Sequence, residues 1–175
     1  MIIAPSKFRD EELLKPRALL ETQGYQVDVA ALTTSPATGM LGTVCVPDKT
    51  LDQLDAASYD AIVFVGGAGA QTYWDNTTCH ALAQAAVAKG KVLGAICLAP
   101  VILARAGVLK GVPATVWPAA RPELAQAGAR VSTDHVVTHG LIVTGDGPDS
   151  ALPFGQALIA ALQKRASQPP QVHQQ

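Results

Sequence analysis

The stretch Gly94-Ala95-Ile96-Cys97-Leu98-Ala99-Pro100 carries the residue best placed for chemistry. It reads as the end of an apolar strand, a tight turn and the start of a helix, so the Cys97 thiol would sit where helix N–H groups favour a thiolate. Small Ala95 and Ala99 leave room for a sharp turn of the kind that presents a serine nucleophile in other α/β enzymes. The alternative is plain packing, because unpaired cysteine is among the most buried residue types. Cys45 and Cys79 fall within a strand-like and a helix-like segment and carry no comparable signal. A second candidate loop, Gly66-Gly67-Ala68-Gly69-Ala70, follows an apolar run. Glycine-rich turns can bring N–H groups to a phosphate, but this one lacks the third glycine of the dinucleotide fingerprint and has no Gly-Lys-Ser/Thr. No nucleotide or other cofactor is expected.

Metal chemistry is not expected either. His80, His135, His139 and His173 have no helical zinc spacing, and no cysteine stands in a C-x-x-C or Cys/His pattern. An odd number of cysteines suits a reducing compartment.

The elements that must position Cys97 follow from the apolar pattern. Met1–Ala4, Ala61–Val65 and Val92–Ile96 read as buried strands, and Tyr25–Leu32 as an alternating one. Thr43–Val46 and Ala114–Val116 are short β-prone runs, with a Thr/Ser/Pro/Gly loop before the first. Helices are predicted over Asp10–Gln23, Asn76–Lys89, Leu98–Ala106, Pro122–Gln126 and Ser150–Lys164. Val136–Thr138 and Leu141–Thr144 flank Gly140 as a hairpin. Alternating strands and helices predict a parallel α/β sandwich, whose ligands sit at the carboxyl ends of the strands. Both candidate loops lie at such ends. Residues 1–166 form one expected domain, and 167–175, with too little apolar content to pack, an expected disordered tail.

Composition narrows the partners. A formal charge of -1 leaves no basic surface for nucleic acid. Charged residues are 15% of the chain against a usual value of about 25%, with 49% hydrophobic, which suggests that a second subunit covers some apolar surface. No apolar run is long enough to span a bilayer and no leader pattern opens the chain, so no membrane partner and a cytoplasmic location are expected.

Gly94–Pro100 followed by Ala106-Gly107-Val108-Leu109-Lys110-Gly111 resembles the nucleophile region of the ThiJ/PfpI superfamily, relatives of the parkinsonism-associated protein deglycase and the archaeal intracellular protease with a class I glutamine amidotransferase-like fold. Glu12 four residues before Pro16, the Gly66-Gly67 turn, Thr115-Val116-Trp117-Pro118 and Gly140–Thr144 with Gly147-Pro148 occur in the family's order, to about Leu162. The resemblance implies a flavodoxin-like three-layer sandwich, a homodimer or larger assembly, and a nucleophilic Cys97 whose thiolate is held by a protonated Glu12. Burial beside a thiolate raises a carboxyl pKa, so such a pair would share one proton. The N–H groups of Gly67 and Leu98 are the matching oxyanion donors, and Gly66, Ala68 and Trp117 the matching pocket residues.

Three positions depart from the family's pattern. The protease-like branch has His after the nucleophile, where this chain has Leu98, and the deglycase-like branch has His at the position of Trp117. Asp146 stands where many relatives carry Arg. His135 and His139 are expected in surface or turn roles, and Tyr73 and Trp74 are expected to pack. The leading expectation is a slow cysteine-dependent enzyme acting on small reactive carbonyls, glyoxalase- or deglycase-like, in stress protection. A cysteine peptidase or amidase, and a non-catalytic redox sensor in which Cys97 oxidises reversibly, are the alternatives.

Overall fold

The computed structural model describes residues 1–168. The strands are β1 (Ser6–Phe8), β2 (Ala30–Ala31), β3 (Ala37–Gly39), β4 (Val44–Cys45), β5 (Lys49–Thr50), β6 (Ala61–Phe64), β7 (Val92–Ile96), β8 (Pro113–Ala114), β9 (Arg130–Val131), β10 (Val136–His139) and β11 (Ile142–Gly145). The helices are α1 (Asp10–Thr22), α2 (Thr77–Ala88), α3 (Pro100–Arg105), α4 (Arg121–Gln126) and α5 (Ala151–Ser167).

The main sheet runs β10-β11-β7-β6, continues through Ile2, and ends at β2-β5. Every neighbour is parallel except across the β10–β11 hairpin, which turns at Gly140 as expected. Alternation along the central strands splits the core. Ile62, Phe64, Leu93 and Ala95 face a cluster with Leu82, Ala86, Val101 and Ile102 of α2 and α3, while Val63, Val92 and Ile96 face Phe154, Leu158 and Leu162 of α5. Helices α1 and α5 pack together on that second face. The result is the expected sandwich, with helices on both sides of a mostly parallel sheet. Among the described residues, no helix is long and apolar enough to cross a membrane.

Four local expectations need correction. Met1–Ala4, expected as a buried strand, lies mid-sheet, but only Ile2 makes ladder pairs, bridging both Ala30 and Phe64. The Tyr25–Leu32 strand contracts to Ala30–Ala31, because Val29 N–H turns to the Asp48 carboxylate at 2.8 Å. The segment before Val44, expected as loop, contributes β3, which pairs with β1 and β4 in a small second sheet. Asp10 makes that sheet possible, since its buried carboxylate accepts from Leu41 N–H at 2.8 Å and Thr43 N–H at 2.9 Å and ties the β3–β4 turn to the start of α1. At the other end α5 continues through Ser167, beyond the expected helix, and residues 169–175 of the expected tail lie outside the described residues.

Candidate functional site

Strands β6 and β7 pair in register from Ala61 opposite Val92 to Phe64 opposite Ala95, so both end at the same edge of the sheet. The chain therefore delivers Gly66-Gly67 and Cys97 side by side. Cys97 has φ 64°, in the left-handed region that side chains other than glycine rarely adopt. Such a conformation costs about 1–3 kcal/mol and persists where its surroundings over-determine it. Here the Cys97 N–H donates to Gly145 O at 2.9 Å, Trp117 N–H donates to Cys97 O at 2.8 Å, and Ala99 N–H donates to Ile96 O at 3.0 Å. Pro100 opens α3, where its missing N–H would have had no helical partner.

Glu12 reaches the same point from the first turn of α1 and is fully buried. Gly66 separates it from the cysteine, and a Cβ added there would stand 2.6 Å from both Cys97 Cβ and Glu12 Oε1. Only glycine leaves the two side chains in reach of each other. Gly67 has φ 99°, and a side chain on it would strike the backbone of Lys7 and Arg9. That close approach lets Arg9 N–H donate to Gly66 O at 2.9 Å and seats α1 on the glycine turn.

The electrostatics of the pair follow from burial. Glu12 is pushed up to about 8, chiefly by loss of water. Neither of its oxygens has a partner in good hydrogen-bond geometry, and its polar neighbours are the Cys97 thiol and Gly66 N–H, which favour the charged form too weakly to offset burial. Burial also pushes the Cys97 thiol up to about 12, helped by the repulsion of an ionised Glu12, while the N–H groups of Gly67 and Leu98 oppose the shift. A depressed thiol pKa, expected from the helix start alone, is therefore not what this environment gives while Glu12 is charged. Like charges this close cannot both be stable in a dry site, so the pair carries at most one charge over most of the pH range.

Cys97 opens onto a cavity of about 210 Å³ lined by Arg9, Met40, Gly67, Ala68, Leu98, Trp117 and Pro148. Ala68 and Trp117 line it, while Gly66 lies beneath it, between Cys97 and Glu12. Arg9, Met40 and Pro148 were missed; the arginine directly before the acidic start of α1 was the available signal. A larger cleft of about 330 Å³, near Tyr25, Asp28, Lys49 and Tyr59, lies at the opposite, amino-terminal end of the strands, away from the cysteine and from the end where such sheets bind ligands.

The described histidines stand elsewhere. His80 Nε2 bonds Trp74 O at 2.7 Å, exposed His135 pairs with Asp146 at 2.8 Å, and His139 ends β10. His173 lies outside the described residues. Asp146 also accepts from Ser150 Oγ and serves the turn before α5. Tyr73 and Trp74 pack rather than line the cavity, with Tyr73 Oη donating to Ile3 O at 2.9 Å and Trp74 Nε1 donating to Leu98 O at 2.9 Å. Among the described residues no group of three or more His, Cys, Asp or Glu could hold a metal ion, and all three cysteines are free.

Comparison with known proteins places this arrangement. The DJ-1/PfpI family pattern matches residues 1–161. The chain is 46% identical over 167 residues to an uncharacterized protein of Methanocaldococcus jannaschii, covering 94% of this chain and 82% of that one. It is 30% identical over 148 residues to deglycase PfpI of Pyrococcus furiosus, covering 85% and 89% of the two chains. The crystal structure of a ThiJ/PfpI domain protein from Brachyspira murdochii superposes with a TM-score of 0.91 at 31% identity, over 93% of this chain and 94% of that one. The chain belongs to the DJ-1/PfpI family.

Proposed function

We propose that the protein is a cysteine-dependent enzyme acting on small reactive carbonyls, with Cys97 as nucleophile and Glu12 as its proton donor and acceptor. The observation that supports this most is the buried Glu12 carboxyl, unpartnered except by the Cys97 thiol and Gly66 N–H across a spacer that must be glycine. A carboxyl kept there for stability alone is a poor choice, because a buried polar group lacking partners costs about 1–3 kcal/mol. Family relatives carry the corresponding names, deglycase PfpI among them and glutathione-independent glyoxalase DJR-1.2 of Caenorhabditis elegans.

Below about pH 8 Glu12 keeps its proton, and the thiol releases its own to solvent as the substrate enters. The resulting thiolate is held by the N–H groups of Gly67 and Leu98 and by the neutral Glu12 carboxyl. Its sulfur attacks an aldehyde carbon, forming a C–S bond as the C=O π pair moves to oxygen, and Glu12 gives its proton to that oxygen to leave a hemithioacetal. The Glu12 carboxylate can then take the proton from the carbon bonded to sulfur. A proton returned to the neighbouring carbonyl carbon of a 2-oxoaldehyde, together with passage of the hemithioacetal hydroxyl proton through the same carboxyl to the neighbouring oxygen, completes conversion to a thioester, which water cleaves to a 2-hydroxy acid and the free thiol. Among the described residues no histidine lines the cavity, so one carboxyl serves every transfer and turnover is expected to be slow; a positioned acid or base is worth about 10²–10⁴-fold. The same shortage weighs against the peptidase reading, which needs a group to protonate a leaving amine. Steady-state assay with methylglyoxal tests the proposal. Release of lactate that requires both Cys97 and Glu12 is expected, and lactate release unchanged in Cys97→Ser contradicts it.

A further inference from the structure

Among the described residues, Arg9 supplies the only charged side chain on the wall of the Cys97 cavity. Its place is fixed by the backbone, since the Arg9 N–H donates to Gly66 O and Gly67 leaves no room for the segment to move closer or tilt. Its side chain is 28% exposed, half-sheltered over the cavity mouth. Nε donates to Glu11 at 2.7 Å, which steers the guanidinium and leaves its two terminal nitrogens without a hydrogen-bond partner among the described residues. Glu11 itself does not line the cavity. The remaining wall is apolar or backbone, from Met40, Ala68, Leu98, Trp117 and Pro148, so no other described residue there competes for a charged ligand. A planar guanidinium with a free edge suits a carboxylate, and its attraction is strengthened by the low-dielectric wall. The cavity volume of about 210 Å³ admits only a few heavy atoms beyond the reacting carbonyl.

We infer that Arg9 is a specificity-determining residue that draws small carboxylate-bearing carbonyl compounds to Cys97 in preference to neutral ones. The inference rests on Cys97 being the reactive centre, as proposed above, and refines which carbonyl compounds reach it. The carboxylate lies against the free guanidinium edge, and the aldehyde carbon points to Sγ between the Gly67 and Leu98 N–H groups.

Two probes of equal size, one anionic and one neutral, test it without turnover. Cys97 alkylation is followed by mass spectrometry with iodoacetate and with iodoacetamide, and the ratio of the two rates is compared with that of glutathione. The ratio at Cys97 is expected to exceed that of the free thiol, to fall about tenfold in Arg9→Met, and to recover in Arg9→Lys. Glyoxylate is likewise expected to protect Cys97 from iodoacetamide at lower concentration than glyoxal does, with that preference lost in Arg9→Met. A rate ratio unaltered by Arg9→Met, or equal protection by the two aldehydes in the wild-type protein, overturns the inference. A preserved iodoacetate preference with no methylglyoxal turnover would instead reject the carbonyl enzyme and leave the anion selection standing.

Discussion

Cys97 and Cys79 are both buried thiols, and burial pushes each up to about 12. Their surroundings differ in every other respect. Cys79 sits in the middle of the apolar layer between α2 and the sheet, and loss of water is the sole cause of its shift. Cys97 stands at a strained turn, opens onto a cavity, has the Gly67 and Leu98 N–H groups beside its sulfur, and shares its burial with a carboxyl. Burial by itself makes a cysteine inert. On the function proposed above, what separates a packing thiol from a reactive one is a set of groups that stabilise the anion, and of these two cysteines Cys97 has them.

The contrast can be broken by mutation. The largest effect is expected from Cys97→Ser, which should reduce lactate formation from methylglyoxal to background, whereas Cys79→Ala should retain it at a modest cost in stability.

Glu12 gives the next effect, in stability against pH. Its folded pKa of about 8 lies above the ordinary 4.5, so the native state holds a proton that the unfolded chain has released. The resulting stabilisation is complete below pH 4.5 and is lost as pH rises through 8. Wild-type protein should therefore lose about 2–4 kcal/mol relative to Glu12→Gln between pH 5 and pH 8, read from denaturant midpoints at each pH. Parallel pH profiles for the two proteins would mean that Glu12 is not buried beside the thiol in solution.

Gly66→Ala should cost about 1–3 kcal/mol by forcing Cys97 and Glu12 apart, and should lower Cys97 reactivity more than Gly90→Ala, at a position with open space around its backbone, lowers it. The smallest change is expected from Trp117→His, which offers the cavity an imidazole. A rise of about tenfold in methylglyoxal turnover would tie the slow rate to the missing base, and no rise would place the limit elsewhere.

The residues at the end of β7 were legible because strand ends announce themselves. The apolar runs Ala61–Val65 and Val92–Ile96 stop at glycines and at a cysteine followed by proline, and parallel pairing then brings those stops together. Glu12 was legible only through family resemblance, since a carboxylate in the first turn of a helix is ordinarily a solvated one. Arg9, Met40 and Pro148 escaped because each comes from an irregular segment placed by long-range contacts. Arg9 depends on Lys7 adopting φ 57°, and Met40 on Asp10 gripping the β3–β4 turn. The short strand β1 has no periodicity to read, and β2 is cut to two residues by a side-chain bond that no local pattern reveals. Local order is written in the apolar pattern, while the walls of the cavity are written in contacts between distant turns.

The central claim is that Cys97 reacts as a thiolate beside a Glu12 carboxyl that is still protonated. It is tested most directly by the pH dependence of Cys97 alkylation in wild-type protein and Glu12→Gln, with Cys79 as internal reference. If the thiolate forms beside a neutral carboxyl, removing that strong donor should raise the apparent Cys97 pKa by about one unit, with Cys79 unreactive in both proteins. A lower Cys97 pKa in Glu12→Gln would mean that Glu12 holds the charge and repels the thiolate, and Cys97 labelling no faster than Cys79 would mean that the site is packing alone.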